Sequence, residues 1–328
     1  MKVLIVGCGA VGQVFGLGLQ KAGVELGFYA RPGSAAKLRQ ALEQGGLPLF
    51  RITHFRKRNP VAQRLKKVQV VTDVAGSQRF EPDQIWFTTP STVYYEDWFR
   101  KFLEAVPSER VVCFAPEGRR SEFLIERGEE DRQVFGGITF ITWQGDLEGG
   151  GGRREGVNFW LPPLLEIPLM GTKEACSSVA EILRTAGFRP AIKKPGFHQS
   201  LASMTAVMTA MVAGLELAGW SLKAFRRSAW LKHAARGCQE AALSQLSGGG
   251  LFTKILLEIL FSPAGLFLAT FFLPLPFPFD LEKYLKFHYL KTRGQTINLL
   301  DVFARDGERR GFSMENLRIL HQGLLDSE

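Results

Sequence analysis

The first residues in the chain that could do chemistry are Gly7-Cys8-Gly9-Ala10-Val11-Gly12, a G-x-G-x-x-G run. The pattern suits a pyrophosphate: Gly7 permits a tight turn, Gly9 lets the backbone approach phosphate oxygens at a helix N-terminus, and Gly12 allows close packing of helix on strand. Glycine turns are common, so the flanking elements decide. Val3–Val6 is a short β-branched run suited to a strand buried on both faces, and a helix is predicted over Val11–Ala22. Gly23 ends that helix and Val24–Ala30 reads as a second strand, which gives the opening residues the dimensions of a βαβ unit.

The end of the second strand selects among dinucleotides. An NAD site places Asp or Glu about 20 residues beyond the glycines, to accept hydrogen bonds from the ribose 2′-hydroxyl. This chain has Phe28-Tyr29-Ala30-Arg31 instead. An arginine can clamp a 2′-phosphate, and no carboxylate is present to repel it, so NADP(H) is favoured over NAD(H). The plainer alternative is a solvated arginine.

These residues need a scaffold, and the remaining apolar runs supply one. Ile85–Thr89, Arg110–Ala115 and Val134–Ile141 read as further strands, separated by helical stretches at Tyr94–Ala105 and Glu122–Gly128. After the glycine- and arginine-rich Gly149–Gly156, strands are predicted at Val157–Leu161 and Leu164–Leu169 and a helix at Lys173–Ala186. Lys193-Lys194-Pro195-Gly196 reads as a linker, beyond which Ser200–Trp220, Leu222–Leu246 and Leu281–Arg310 carry helical periodicity. The expected fold class is α/β, with a Rossmann-type dinucleotide-binding domain over 1–192 followed by an all-α domain over 193–328.

Composition narrows the partners. With 328 residues, 45% hydrophobic and 22% charged, the chain is neither disordered nor fibrous. Its net charge of +9 suits nucleic acid, a membrane surface or a phosphorylated small molecule. Seven basic residues (Arg51, Arg56, Lys57, Arg58, Arg64, Lys66 and Lys67) fall in an acid-free segment, Gln44–Thr72, with only His54 and Phe55 near its centre. That is poor support for base stacking, so no nucleic-acid partner is expected. A solvated basic surface is the first reading, and a loop or hairpin raising the potential around the dinucleotide the second. Cys8, Cys113, Cys176 and Cys238 are isolated, which argues against a zinc site or a disulfide framework and for a cytoplasmic location. Only four apolar residues separate Lys2 from Gly7, too few for a signal segment, so the start reads as mature protein. Ile259–Phe279 has 21 residues without a charge, but Pro263, Pro274, Pro276 and Pro278 interrupt it. A buried helix or a homodimer face is preferred there over a lipophilic pocket, and membrane insertion is disfavoured.

The glycine motif, the strand ending in Arg31, the Gly136-Gly137-Ile138-Thr139-Phe140 segment, the helical C-terminal region and the closing Gly311-Phe312-Ser313-Met314-Glu315-Asn316 together resemble ketopantoate reductase (2-dehydropantoate 2-reductase). The resemblance implies NADPH-dependent reduction of a 2-keto acid to a 2-hydroxy acid, with Thr89, Pro90 and Pro116 among the positions that meet the cofactor. The catalytic set is substituted. The family's lysine falls on Ser200, amide positions on Met204 and Met208, and the late glutamate on Gln295. A neutral serine cannot deliver the proton that the lysine would supply as hydride arrives at carbon.

If Leu281–Arg305 is one helix, Tyr284, His288, Lys291 and Gln295 share a face, and His288 or Lys291 could supply the proton; His198, near the lost lysine position, is a further candidate. Each of these could equally be a structural or surface side chain. Two functions follow: an NADPH-dependent reductase acting on a small-molecule carbonyl that need not be ketopantoate, or an NADP(H)-binding sensor or interaction protein without turnover.

Overall fold

The computed structural model describes all residues except 54–59, 115–130, 148–151, 153–154, 195–196, 246–250 and 328, and except the side chains at 91, 95, 198–199 and 251–254. It divides into two units, the first built from 1–146 and 152–195, the second mainly from 196–328.

The first unit is organised by β1 (Lys2–Val6). Successive strand side chains point to opposite faces, and both faces here are filled. Val3 and Ile5 enter one core cluster with Phe15, Trp86 and Phe114, while Leu4 and Val6 enter another with Phe80, Phe99 and Phe102. A strand at the centre of a layered α/β sheet is buried in this way. β2 (Glu25–Tyr29) pairs with β1 on one side, and β6 (Gln84–Phe87) on the other. The full order is β12-β11-β8-β7-β6-β1-β2-β5, completed by β5 (Gln69–Val71), β7 (Arg110–Phe114), β8 (Gln133–Gly136), β11 (Ile167–Gly171) and β12 (Pro190–Ile192). Strands β5 to β8 through β1 run parallel, and β11 joins antiparallel to β8.

A second sheet, in the order β4-β3-β10-β9, combines β3 (Leu47–Ile52), β4 (Val61–Leu65), β9 (Ile141–Gln144) and β10 (Val157–Trp160). Leu49, Leu65, Val157 and Phe159 join the same core as Val14, Phe15 and Leu17 of helix α1 (Ala10–Lys21).

Several expected boundaries move. Val134–Ile141 is two strands in two sheets, not one. The Gly137 N–H is drawn to Pro168 O (3.0 Å), and the chain then turns to seat Phe140 against Phe15, ring centroids 5.0 Å apart. The strand expected from Leu164 starts only at Ile167, because Pro162-Pro163 lead into a turn in which Leu165 N–H bonds to Pro162 O. The helix expected at Glu122–Gly128 lies outside the described residues.

Among its described residues the second unit has helices and connecting turns and no strand, arranged around the long helix Phe197–Leu217. Residues 200–217 are long and apolar enough to cross a membrane, but half of this window is buried. Small side chains at Ala206, Ala210 and Ala213 pack with Cys238 and Ala241 of helix Trp230–Gln245 and with Leu317, Leu320 and Leu324 of helix Glu315–Asp326. The predicted helix Leu222–Leu246 is split into Leu222–Phe225 and Trp230–Gln245, with Ser228 Oγ bonding back to Phe225 O. The predicted helix Leu281–Arg310 is also two, Leu281–Lys291 and Arg293–Arg309. Thr292 interrupts it: its Oγ1 donates to His288 O (3.2 Å), and Gln295 and Thr296 N–H start a new ladder on Thr292 O. The apolar stretch forms helices Leu251–Leu260 and Pro263–Phe272, the latter capped by Ser262 Oγ accepting from Gly265 N–H (3.0 Å).

Candidate dinucleotide site

The chain leaves β1 at Val6 and turns at Gly7, whose φ of +106° lies where only glycine is at ease. The turn delivers Gly9 to the N-cap of α1, where Gly9 O accepts from Gln13 N–H (3.0 Å). The Gln13 side chain braces the loop from behind by donating to Cys8 O (3.0 Å). Gly12 packs so tightly that a Cβ there would lie 2.1 Å from Gly7 O, whereas a Cβ on Gly9 would meet nothing within 4 Å. The first and third functions of the motif are therefore internal, closure of the turn and contact of helix on strand. The middle glycine presents bare backbone to solvent at the positive end of α1, where free N–H groups and the helix dipole favour an anion. Ala10 and Val11 form the first turn, both half-buried.

Two more loops reach the same sheet edge. Val6 is level with Tyr29 on one side and Phe87 on the other, so Arg31 and Thr88-Thr89-Pro90 follow directly beyond the glycine turn's neighbours. Since β1 lies between β2 and β6, this is where the strand order reverses, the place at which open α/β sheets bind ligands. Arg31 is exposed and stands at the N-cap of helix Pro32–Glu43. The motif alone did not reveal Thr88. Its N–H bonds to Val6 O (2.9 Å) and its Oγ1 to Gly7 O (2.6 Å), fixing the turn from the next strand. Nothing in the residue type signals this; only the β1–β6 pairing does. Thr89 Oγ1 is buried with no hydrogen-bond partner among the described residues. Pro116 lies outside them. An open glycine backbone, a helix N-terminus and a cationic side chain on one edge fit a phosphorylated dinucleotide.

The basic segment does not gather here in its described part. Gln20 Oε1 accepts from Lys66 and Lys67 N–H (2.8 and 3.0 Å), so these residues sit by the C-terminal end of α1, roughly 16 Å of helix axis from Gly9. Arg51, Arg64, Lys66 and Lys67 are all exposed. The solvated-surface reading describes them; they complement the negative end of the helix. Arg56, Lys57 and Arg58 lie outside the described residues.

Cys8 is half-buried and its Sγ donates to Tyr29 O (3.3 Å). Burial pushes its pKa up to about 12, Cys238 to about 12 and Cys176 to about 11, and raises Cys113 as well. At pH 8 only on the order of one Cys8 in ten thousand is thiolate, the reactive form. The folded protein is expected to release almost no colour with a thiol reagent at pH 8, and all four thiols in denaturant. A fast-reacting thiol in the native state would contradict the buried assignment.

The expected catalytic residues all fall in the second unit, and Ser200 and Gln295 are far apart in it. Ser200 is exposed near the start of helix Phe197–Leu217. Gln295 lies two residues beyond Arg293, whose Nε bonds to Glu216 Oε1 (2.5 Å) near that helix's other end. Ser200 and Glu216 are separated by roughly 24 Å of helix axis. The break at Thr292 also removes Gln295 from the face shared by Tyr284, His288 and Lys291. His288 stacks on Tyr284 (centroids 5.6 Å) and meets Tyr289 edge-on (4.9 Å), leaving an exposed edge. Enclosure by these neighbours, and secondarily the Lys291 ammonium, lower its pKa. Lys291 is exposed at the helix end, and His198 lies in the first turn of Phe197–Leu217.

Sheet topology and glycine turn define a Rossmann-type dinucleotide-binding unit, followed here by an all-helical one. Residues 3–151 match the family model described as ketopantoate reductase PanE/ApbA. No curated protein matches the chain in sequence. Among solved structures, it is similar to 2-dehydropantoate 2-reductase from Geobacter metallireducens, at 14% identity over 100% of both chains with a TM-score of 0.66. It is also similar to a PanE/ApbA family ketopantoate reductase from Ralstonia eutropha, at 19% identity over 99% of this chain and 97% of that one, TM-score 0.63. A complex of D-mandelate dehydrogenase with NADH matches at 15% identity over 100% and 98%, TM-score 0.59. At these identities the likenesses establish the fold alone, over the whole length of the chain.

Proposed function

We propose that the protein binds NADP(H) and reduces a 2-keto acid or related small carbonyl compound to the hydroxy compound. The observation that carries this reading is the open Gly9 backbone at the start of α1, on the same sheet edge as Arg31 and with no carboxylate at the end of β2. The N–H groups of the α1 first turn would hold the pyrophosphate, Arg31 the 2′-phosphate, and Thr88 keeps Gly7 in place. The nicotinamide supplies the hydride when bound, leaving the chain to bind, orient and protonate.

A second reading, dinucleotide binding without turnover, is favoured by the residue types at the positions that the resemblance implies for the lysine and the glutamate, a serine at Ser200 and an amide at Gln295. One experiment separates the two. NADPH and NADH are titrated by fluorescence against the parent and Arg31→Glu proteins, and NADPH oxidation is followed with 2-keto acids graded by side-chain size. A charge-assisted hydrogen bond contributes about 1.5–3 kcal/mol, so NADPH should bind roughly 10- to 100-fold more tightly than NADH, and Arg31→Glu should cancel or reverse the preference. Equal affinities in the parent would remove the NADP(H) assignment. Tight NADPH binding with no oxidation across the panel would select the second reading.

A further inference from the structure

At the sheet edge opposite the dinucleotide turn, where β6 and β7 begin, the first unit holds a cleft of about 410 Å³. Its floor is Gln84 and Arg110, register partners at the first positions of the two strands. Side chains alternate along a strand, so both project to the face on which Trp86 and Val112 join the core shared with α1 and helix Lys173–Thr185. That helix forms one wall with Ser178, Glu181 and Ile182, whose i, i+3, i+4 spacing puts them on one face. Ala22, just past the last turn of α1, lines the cleft as well. It stands roughly 20 Å of helix axis from Gly9, so the cleft is separate from the dinucleotide site.

The donors on its floor lack acceptors. Arg110 Nη1 donates to Glu109 O (2.7 Å), but Nε is buried with no hydrogen-bond partner among the described residues. Among those residues no carboxylate forms an ion pair with this guanidinium, although Glu109 and Glu181 both line the cleft. Gln84 is 4% exposed. Its Oε1 accepts from Trp86 Nε1 (2.9 Å), while its Nε2 meets the Met1 thioether at 3.9 Å, a weak acceptor. Buried donors without good acceptors are costly, and a planar carboxylate is the group that matches a guanidinium edge.

We infer that the cleft binds a free α-amino acid with an apolar side chain. The carboxylate lies on the Arg110 guanidinium and Gln84 Nε2. The ammonium is met by Glu109 and Glu181 at the rim, both exposed. Helices α1 and Lys173–Thr185 also end at the cleft, and the partial negative charge of a helix C-terminus favours a cation. Ala22, Val24 and Ile182 receive the apolar side chain. A plain anion would face two unmatched carboxylates, and a plain amine would leave the donors of the floor unsatisfied. The volume falls in the range of small-molecule sites, about 300–1,000 Å³.

The test is calorimetric titration of the full chain with L-leucine and with its two stripped analogues, isocaproate and isoamylamine. Leucine should bind, and each analogue at least about 10-fold more weakly, since each lacks one charged contact. Arg110→Met removes the partner of the carboxylate, and Ser178→Phe fills the cleft from the helix. Each should weaken leucine binding roughly 10- to 100-fold, with circular dichroism and dinucleotide affinity unchanged. If one variant misfolds, the other carries the test. Repeating the titration in saturating NADPH should leave the affinity for leucine in place. No binding up to about 10 mM leucine, equal binding of either analogue, binding that survives either substitution in a folded protein, or competition with NADPH would each overturn the proposal.

Discussion

Gly12→Ala is expected to abolish dinucleotide binding and to lower the melting temperature together. The added Cβ would be placed 2.1 Å from Gly7 O and 2.8 Å from Thr88 Oγ1. Neither can yield cheaply, because Gly7 is held at positive φ and its carbonyl oxygen accepts the Thr88 hydroxyl. Overpacking typically costs 1–3 kcal/mol, and more where backbone must move. A displaced turn also takes the α1 N-terminus out of register with the sheet edge. Dinucleotide affinity should therefore fall by at least about 100-fold, some 2.7 kcal/mol. Gly9→Ala is the informative companion. Its Cβ meets no atom of the protein within 4 Å, so the fold should be untouched, yet it occupies the space through which a phosphate must approach. Unchanged melting with lost binding for Gly9→Ala, against loss of both for Gly12→Ala, would separate ligand contact from internal packing. Full dinucleotide affinity in Gly9→Ala would mean the pyrophosphate is held elsewhere.

Arg293→Ala should produce the largest loss of stability in the helical unit. The guanidinium bonds to Glu216 Oε1 through Nε and to Leu324 O (2.6 Å) and Ser327 Oγ (3.0 Å) through Nη2, so one side chain ties the start of helix Arg293–Arg309 to the ends of two others. Glu216 is 9% exposed. Removing the arginine leaves that carboxylate buried without its counter-charge, a change that typically costs 3–5 kcal/mol. For a unit of this size that is a melting shift on the order of 10–20 °C. Replacing both partners, Glu216→Leu with Arg293→Met, should recover most of it, because the cost comes from the orphaned charge. A loss below about 1 kcal/mol for Arg293→Ala would show that water already solvates the pair.

The dinucleotide turn was legible in the sequence because its determinants are local. A both-sided apolar strand, three glycines and a helix lie within about twenty residues, and each glycine has a geometric reason. The same holds for the helical character of the described elements after Phe197. What local pattern could not carry was long-range. The break at Thr292 goes with an arginine that answers to Glu216 and Leu324, neither of them near it in sequence. Val134–Ile141 reads as one apolar run, and only the pull of Pro168 on Gly137 and of the Phe15 ring on Phe140 divides it. The basic segment follows β2 in sequence but returns along β4 to the far end of α1. Composition showed that its charges were clustered, not where they were delivered.

The small sheet has a consequence for how the chain is made. Leu49 of β3 pairs with Val157 of β10, 108 residues later, and β3 meets only its hairpin partner β4 before then. At a synthesis rate of about 5–20 residues per second, the inner edge of the β3–β4 hairpin waits roughly 5–20 s on the ribosome for the strand that covers it. During that interval an open backbone edge is available to any passing strand. The first unit is thus one whose yield should depend on how quickly residues 60–160 are translated, more than on how stable the finished sheet becomes.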